Sequence, residues 1–125
     1  MEVNELSNVI IGMAINVHSA LGPGLLESAY KECLFHKIQK EGFYAEKEKA
    51  MPLEFEGIRL DCGYRIDILV ENKLVLELKS VEKLTDLHLA QTLTYLKLGG
   101  FNLGLLMNFN SFLLKDGLRR VVNKL

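Results

Sequence analysis

The sequence predicts a mixed α/β domain, an α+β arrangement in which one central sheet is flanked by helices. Three observations lead to it. Apolar residues recur at helical spacing between Asn4 and Leu21 and again between Thr85 and Leu98. Two consecutive β-rich runs, "YRIDILV" and "LVLELKS", are separated by the short polar stretch "ENK". Finally, 125 residues with 49% hydrophobic and 25% charged positions suffice for one core and not for two, so residues 1–125 form a single domain.

From Asn4 to Leu21, Val9, Ile10, Met13, Val17 and Leu21 mark a helix, which "GPG" at Gly22 to Gly24 stops. A second helix runs from Leu25 to about Glu41 and closes at Gly42. Lys47 to Leu60 reads as a strand pair or one long bent strand. Pro52 lies near an edge, because it cannot donate to a ladder, and "EFEG" at Glu54 to Gly57 is the turn. Tyr64 to Val70 and Leu74 to Ser80 form a hairpin. A helix from Thr85 to Leu98 ends at Gly99-Gly100, and "FNLGLLMNF" supplies another buried strand. Phe112 to Val122 is either a last strand or irregular.

Composition narrows the function only slightly. Cys33 and Cys62 form neither a CxxC pair nor a zinc-spaced cluster, so both are expected as reduced thiols, Cys33 in the core. A net charge of −1 argues against a nucleic-acid coat protein but not against an enzyme touching a few phosphates. No apolar run approaches the roughly 20 residues that cross a bilayer, and the N-terminus has no basic-then-apolar pattern. A cytoplasmic protein without a membrane partner is therefore expected.

The hairpin carries charges where a sheet is otherwise apolar. Alternation puts Tyr64, Ile66, Ile68 and Val70 on one face and Arg65, Asp67 and Leu69 on the other. In the partner strand Leu74, Leu76 and Leu78 oppose Val75, Glu77 and Lys79. A three-residue loop, Glu71 to Lys73, pairs Val70 with Leu74 and buries the aliphatics together. The same register sets Asp67 across from Glu77 and Arg65 across from Lys79. Facing carboxylates repel unless a proton or cation lies between them. Magnesium meets that need, since it commonly takes one or two carboxylates and keeps water and phosphate in its other positions. The alternative is a cross-strand salt-bridge cluster of Arg65, Asp67, Glu77 and Lys79, worth roughly 0.2 to 1 kcal/mol per pair. The pattern alone leaves both open.

Asp67 followed after nine residues by Glu77-Leu78-Lys79 resembles the catalytic signature of the PD-(D/E)XK nuclease superfamily, with Ile66 where the signature has its proline. "GLLESAY", Gly24 to Tyr30, matches the motif of the GxxExxY proteins, and "HLAQTLTYLKLGGFNLGLLMNF" resembles their following helix and strand, Gln91 and Tyr95 included. The similarity runs from about Val9 to Val122. It implies a restriction-endonuclease-like αβββαβ core and Mg²⁺- or Mn²⁺-dependent hydrolysis of phosphodiester bonds, in DNA more readily than in RNA. It further implies that Asp67 and Glu77 hold the ion, that Glu27 is a third acidic residue beside the metal, and that Lys79 orients or deprotonates the attacking water. Gln91 would bond the lysine, a water or a phosphate, and Tyr30 and Tyr95 would be core aromatics whose hydroxyls reach the site.

Plainer roles compete with several of these. Glu27 lies in the apolar arc of its helix with Leu26, Tyr30, Cys33, Leu34 and Ile38, and a helix-dipole or capping role also fits it. Gln91 shares a face with Leu84, Leu87, Tyr95 and Leu98 and could satisfy a loop carbonyl. His18 and His88 lack partners at i+3 or i+4, which favours packing or helix-terminal roles. Lys115, Arg119, Arg120 and Lys124 form a basic tail, more readily a solvated surface than a phosphate contact. The last helix also carries a second apolar stripe, Leu89, Leu93 and Leu96, which one sheet face would leave uncovered; a homodimer or larger complex is expected from it. A competing class of function is a nucleic-acid-associated or protein-interaction module that keeps this fold without turnover.

Overall fold

Two helices open the chain, α1 (Val3–Leu21) and α2 (Glu27–Lys40), in the structure, a computed structural model that describes residues 1–124. Strands β1 (Ala45–Ala50), β2 (Leu53–Phe55), β3 (Ile58–Leu60), β4 (Arg65–Val70) and β5 (Leu74–Lys79) follow. Then come α3 (Asp86–Gly99), β6 (Leu103–Asn108), a 3₁₀ turn (Leu114–Gly117) and β7 (Leu118–Val122). Five strands make the central sheet in the order β1-β4-β5-β6-β7, and β2-β3 stand apart as a hairpin. Among the described residues only β5 and β6 are parallel, and α3 makes the crossover between them. This is the mixed α/β sheet that the sequence predicts.

Period-2 alternation decides the two faces. Ile68, Val70, Leu74, Leu76, Leu78, Leu103, Leu105 and Met107 meet α1 and α2 through Ile10, Tyr30, Leu34 and Ile38. On the other face Leu69, Val75, Leu106 and Val121 meet α3 through Tyr95 and Leu96. Gly104 lets α3 sit close, because a Cβ there would lie 3.2 Å from Leu96 Cδ2 and 3.4 Å from Thr92 Cγ2. Ile66 departs from the expected alternation and packs on the α3 side. The break falls where β4 leaves β5: the last paired residues are Ile68 and Leu76.

The region expected as one bent strand or strand pair is divided. β1 joins the main sheet, and the detached hairpin turns at Glu56 and Gly57, whose φ values of 47° and 84° are those of a tight two-residue hairpin turn. The tail ends as a strand, β7, antiparallel to β6.

Cys33 is exposed, not in the core. The buried face of α2 repeats every four residues through Tyr30, Leu34 and Ile38, and Cys33 falls beside it. On α3 the buried arc is centred on Thr92, Tyr95 and Leu96, between the two expected stripes. Leu84, Leu89, Leu93 and Leu98 flank that arc and pack on the same cluster, so the second stripe is not left uncovered. Leu87 alone of these leucines is far out in solvent, 76% exposed. Among the described residues no helix is long and apolar enough to cross a membrane.

Candidate active site

The β4–β5 register is the expected one, Val70 with Leu74, and one step beyond its last pair Asp67 faces Glu77. There the strands part, and the Asp67 carboxylate fills a ladder position. Its Oδ2 accepts the Leu78 backbone N–H at 2.8 Å. Glu77 is 5% exposed, and among the described residues its Oε1 has no hydrogen-bond partner. Burial first, and the Asp67 carboxylate second, push the Glu77 pKa up to about 10. Without a cation, Glu77 therefore keeps its proton at neutral pH.

The cross-strand salt-bridge cluster does not form. Arg65 pairs with Ala50 of β1, and its guanidinium donates to Asp61 Oδ1 at 3.3 Å and to the Tyr64 carbonyl at 2.9 Å. Lys79, half-buried at the end of β5, makes no ion pair among the described residues. The cation closest to Asp67 is one that sequence reasoning missed: Lys31 Nζ lies 3.9 Å from Asp67 Oδ1 and 3.2 Å from Glu48 Oε1. Burial works against the Lys31 charge, but Glu48 and Asp67 outweigh it and hold its pKa above the ordinary value. Its spacing of four from Glu27 was the available signal.

Glu27 begins α2 at the rim of this gap. It does not cap the helix: Leu26 is the N-cap residue and makes no side-chain bond. Burial, then the Asp67 charge, raises the Glu27 pKa, while Lys79, Lys31 and His88 oppose the rise. Tyr30 positions this start without reaching the carboxylates. Its hydroxyl donates to the Gly22 carbonyl at 2.5 Å and accepts the Leu25 N–H at 3.0 Å, while its ring stacks on Phe109 at 4.7 Å. Ser80, next after β5, donates to the Leu25 carbonyl at 2.7 Å. The "GPG" loop is thus tied both to its own helix and to the strand that carries Glu77 and Lys79.

Tyr95 closes the other side. It is 8% exposed, and burial, then the charges of Glu77 and Asp67, raise its pKa. Gln91 is exposed rather than enclosed, because it lies off the arc centred on Thr92. With Leu53, Tyr64, Leu87, His88 and Tyr95 it lines a hollow of about 420 Å³. Both of the other histidine expectations are met by structure-building roles. His18 Nε2 lies 2.7 Å from the Ser111 carbonyl, and His88 makes a reciprocal cap with Thr85, its Nδ1 accepting the Thr85 N–H at 3.0 Å.

Among the described residues no group of three or more His, Cys, Asp or Glu is close enough to hold a metal ion. The gap instead offers a pair, Asp67 and Glu77, with one buried oxygen unpartnered. Hard oxygens of this kind fit a magnesium-like ion, which needs only one or two carboxylates from the protein. In the basic tail, Arg120 reaches the Asn4 side chain and Arg119 donates to the carbonyls of Asp116 and Leu118.

A mixed sheet that parts around two carboxylates, followed at a spacing of two by a lysine, defines the class. The sequence profile of the PD-(D/E)XK nuclease superfamily matches residues 4–121, and the chain belongs to that superfamily. No curated protein and no solved structure gives a significant match to it.

Proposed function

We propose that the protein is a magnesium- or manganese-dependent nuclease of the GxxExxY kind, which hydrolyses phosphodiester bonds in DNA in preference to RNA. One observation carries the reading: a buried carboxylate, Glu77, with an unsatisfied oxygen faces a second carboxylate, Asp67, at the point where two strands separate. The arrangement is costly for the empty protein and becomes favourable once a cation is present. A divalent ion held there by Asp67 and Glu77 supplies Lewis-acid polarisation of a phosphoryl oxygen and an acidified water.

The remaining roles fall to the chain's own groups. Lys79, two residues beyond Glu77 on the same face, orients the attacking water and offsets negative charge growing on the phosphate oxygens. Glu27 acts from the start of α2 as a third acidic group, through water rather than as part of the carboxylate pair. Gln91 and Tyr95 line a hollow that Tyr95 joins to the carboxylates, where a nucleic-acid strand can lie, and Tyr30 keeps the Glu27 loop in place. The protein acts as a homodimer. Support for pairing comes from the detached β2–β3 hairpin, where Phe55, Ile58 and Leu60 are 62%, 55% and 44% exposed.

Calorimetric titration with manganese, beside plasmid and oligonucleotide cleavage, tests the function. Wild type should bind the ion and cut, and Lys79→Ala should keep the ion and lose most of the cutting, since a group acting near the transition state affects rate more than ground-state binding. Ion binding with no cleavage of any DNA or RNA would leave a module on the same fold. Undiminished cleavage by Lys79→Ala removes that lysine from the mechanism.

A further inference from the structure

Lys31 lies beside one member of the carboxylate pair, Asp67, yet belongs to none of the motifs above. Its side chain is 13% exposed, and it faces Asp67 Oδ1 while Asp67 Oδ2 is engaged by the Leu78 N–H. The ammonium therefore stands at the one Asp67 oxygen left free to hold a cation. On its other side it bonds Glu48 Oε1. Glu48 sits opposite Asp67 in the sheet, between the pairs Lys47–Ile68 and Lys49–Ile66. Its backbone is irregular for a strand interior: φ is 51°, in the left-handed region that non-glycine residues rarely adopt and that persists only where the surroundings over-determine it.

We propose that Lys31 is a resident counter-cation of Asp67 that competes with the divalent ion for Oδ1, and that Glu48 is the carboxylate that takes the ammonium over when the ion enters. The inference rests on the metal-site reading above. Its consequence is that the ion alone loads weakly, and loads more tightly when a substrate phosphate adds its own oxygens. An ion held at Oδ1 would stand within a few ångströms of the ammonium, and two like charges that close repel strongly in a half-buried site, so the lysine must shift toward Glu48 for the ion to be held.

Manganese titration at fixed ionic strength reads the competition. Lys31→Met should bind manganese about five- to tenfold tighter than wild type, and Glu48→Gln should bind it several-fold more weakly. In the Lys31→Met background, Glu48→Gln should have no further effect. Effects that add independently would make both residues mere long-range charges and overturn the handover, and unchanged or weaker binding by Lys31→Met overturns the competition. A second readout needs no metal. In chelator, Lys31→Met should lower the melting temperature, and that loss should shrink in the Asp67→Asn background; equal losses in both overturn the pairing. Wild type that binds no manganese at all overturns the metal site itself, and this inference with it.

Discussion

Glu77 concentrates the conflict of the site in one side chain. Its folded pKa, about 10, lies above the ordinary carboxyl value of 4.5, so the folded protein retains a proton that the unfolded chain releases. The sign follows: the metal-free protein loses stability as pH rises from about 4.5 toward 10, and the loss is absent below that window. Glu77→Gln keeps the shape and removes the titration. In chelator it should match wild type near pH 4 and exceed it at pH 8 by several degrees of melting temperature. Parallel melting curves for the two proteins across that range would refute the buried, protonated carboxyl. Asp67 behaves differently because its Oδ2 completes the Leu78 backbone bond. Asp67→Ala should be about 1 to 2 kcal/mol less stable than Asp67→Asn, because both lose the Lys31 pairing but only the alanine orphans that N–H; both should lose manganese in calorimetry. Equal melting temperatures for the two variants would show that the bond is not holding the strand.

At the scale of elements, the site depends on how α2 begins. The loop before it is closed by Tyr30, and by Ser80 from the end of β5, which together fix Glu27 relative to the strand carrying Glu77 and Lys79. Tyr30→Phe leaves the ring in its stack on Phe109 but removes the partner of both the Gly22 carbonyl and the Leu25 N–H. It should cost about 1 to 3 kcal/mol and speed hydrogen exchange at Leu25 before the core of α2 is affected. If exchange there is unchanged, the hydroxyl is not the clasp of the loop. Here the tyrosine of "GLLESAY" has a physical role, and it is indirect: the motif's last residue builds the loop that presents its glutamate.

For the whole molecule, the β2–β3 hairpin rather than the second stripe of α3 presents a group of exposed apolar side chains. The leucines flanking the buried arc of α3 reach the same cluster as Tyr95 and Leu96, so that helix is largely satisfied by one sheet face. Phe55 and Ile58 sit at the hairpin tip, away from the five-stranded sheet. Light scattering at tens of micromolar should give a dimer for wild type and a monomer for Phe55→Asp with an unchanged fold by circular dichroism. A wild-type monomer under those conditions excludes self-association, and a variant that still dimerises moves the interface elsewhere.

The helices, the hairpin register and the meeting of Asp67 with Glu77 are all legible along the chain. Each depends on a period that is local to the chain: 3.6 for α1, α2 and α3, and two for the strands, with the three residues Glu71 to Lys73 pinning Val70 to Leu74. Tertiary structure alone decided what surrounds that pair. Ile66 changes faces where β4 parts from β5 beyond Ile68 while staying paired to β1, Arg65 there turns to Asp61, and no pattern within β4 announces where a ladder ends. Helical spacing puts Cys33 and Gln91 among apolar neighbours, but the centre of a buried arc is set by what the helix packs on, and both lie outside it. Lys31, Glu48 and Asp67 come together from a helix and two strands, and Glu48 meets Asp67 only through the β1–β4 register. A charge's partner is fixed by distance in space, and between separate elements spacing along the chain does not encode that distance.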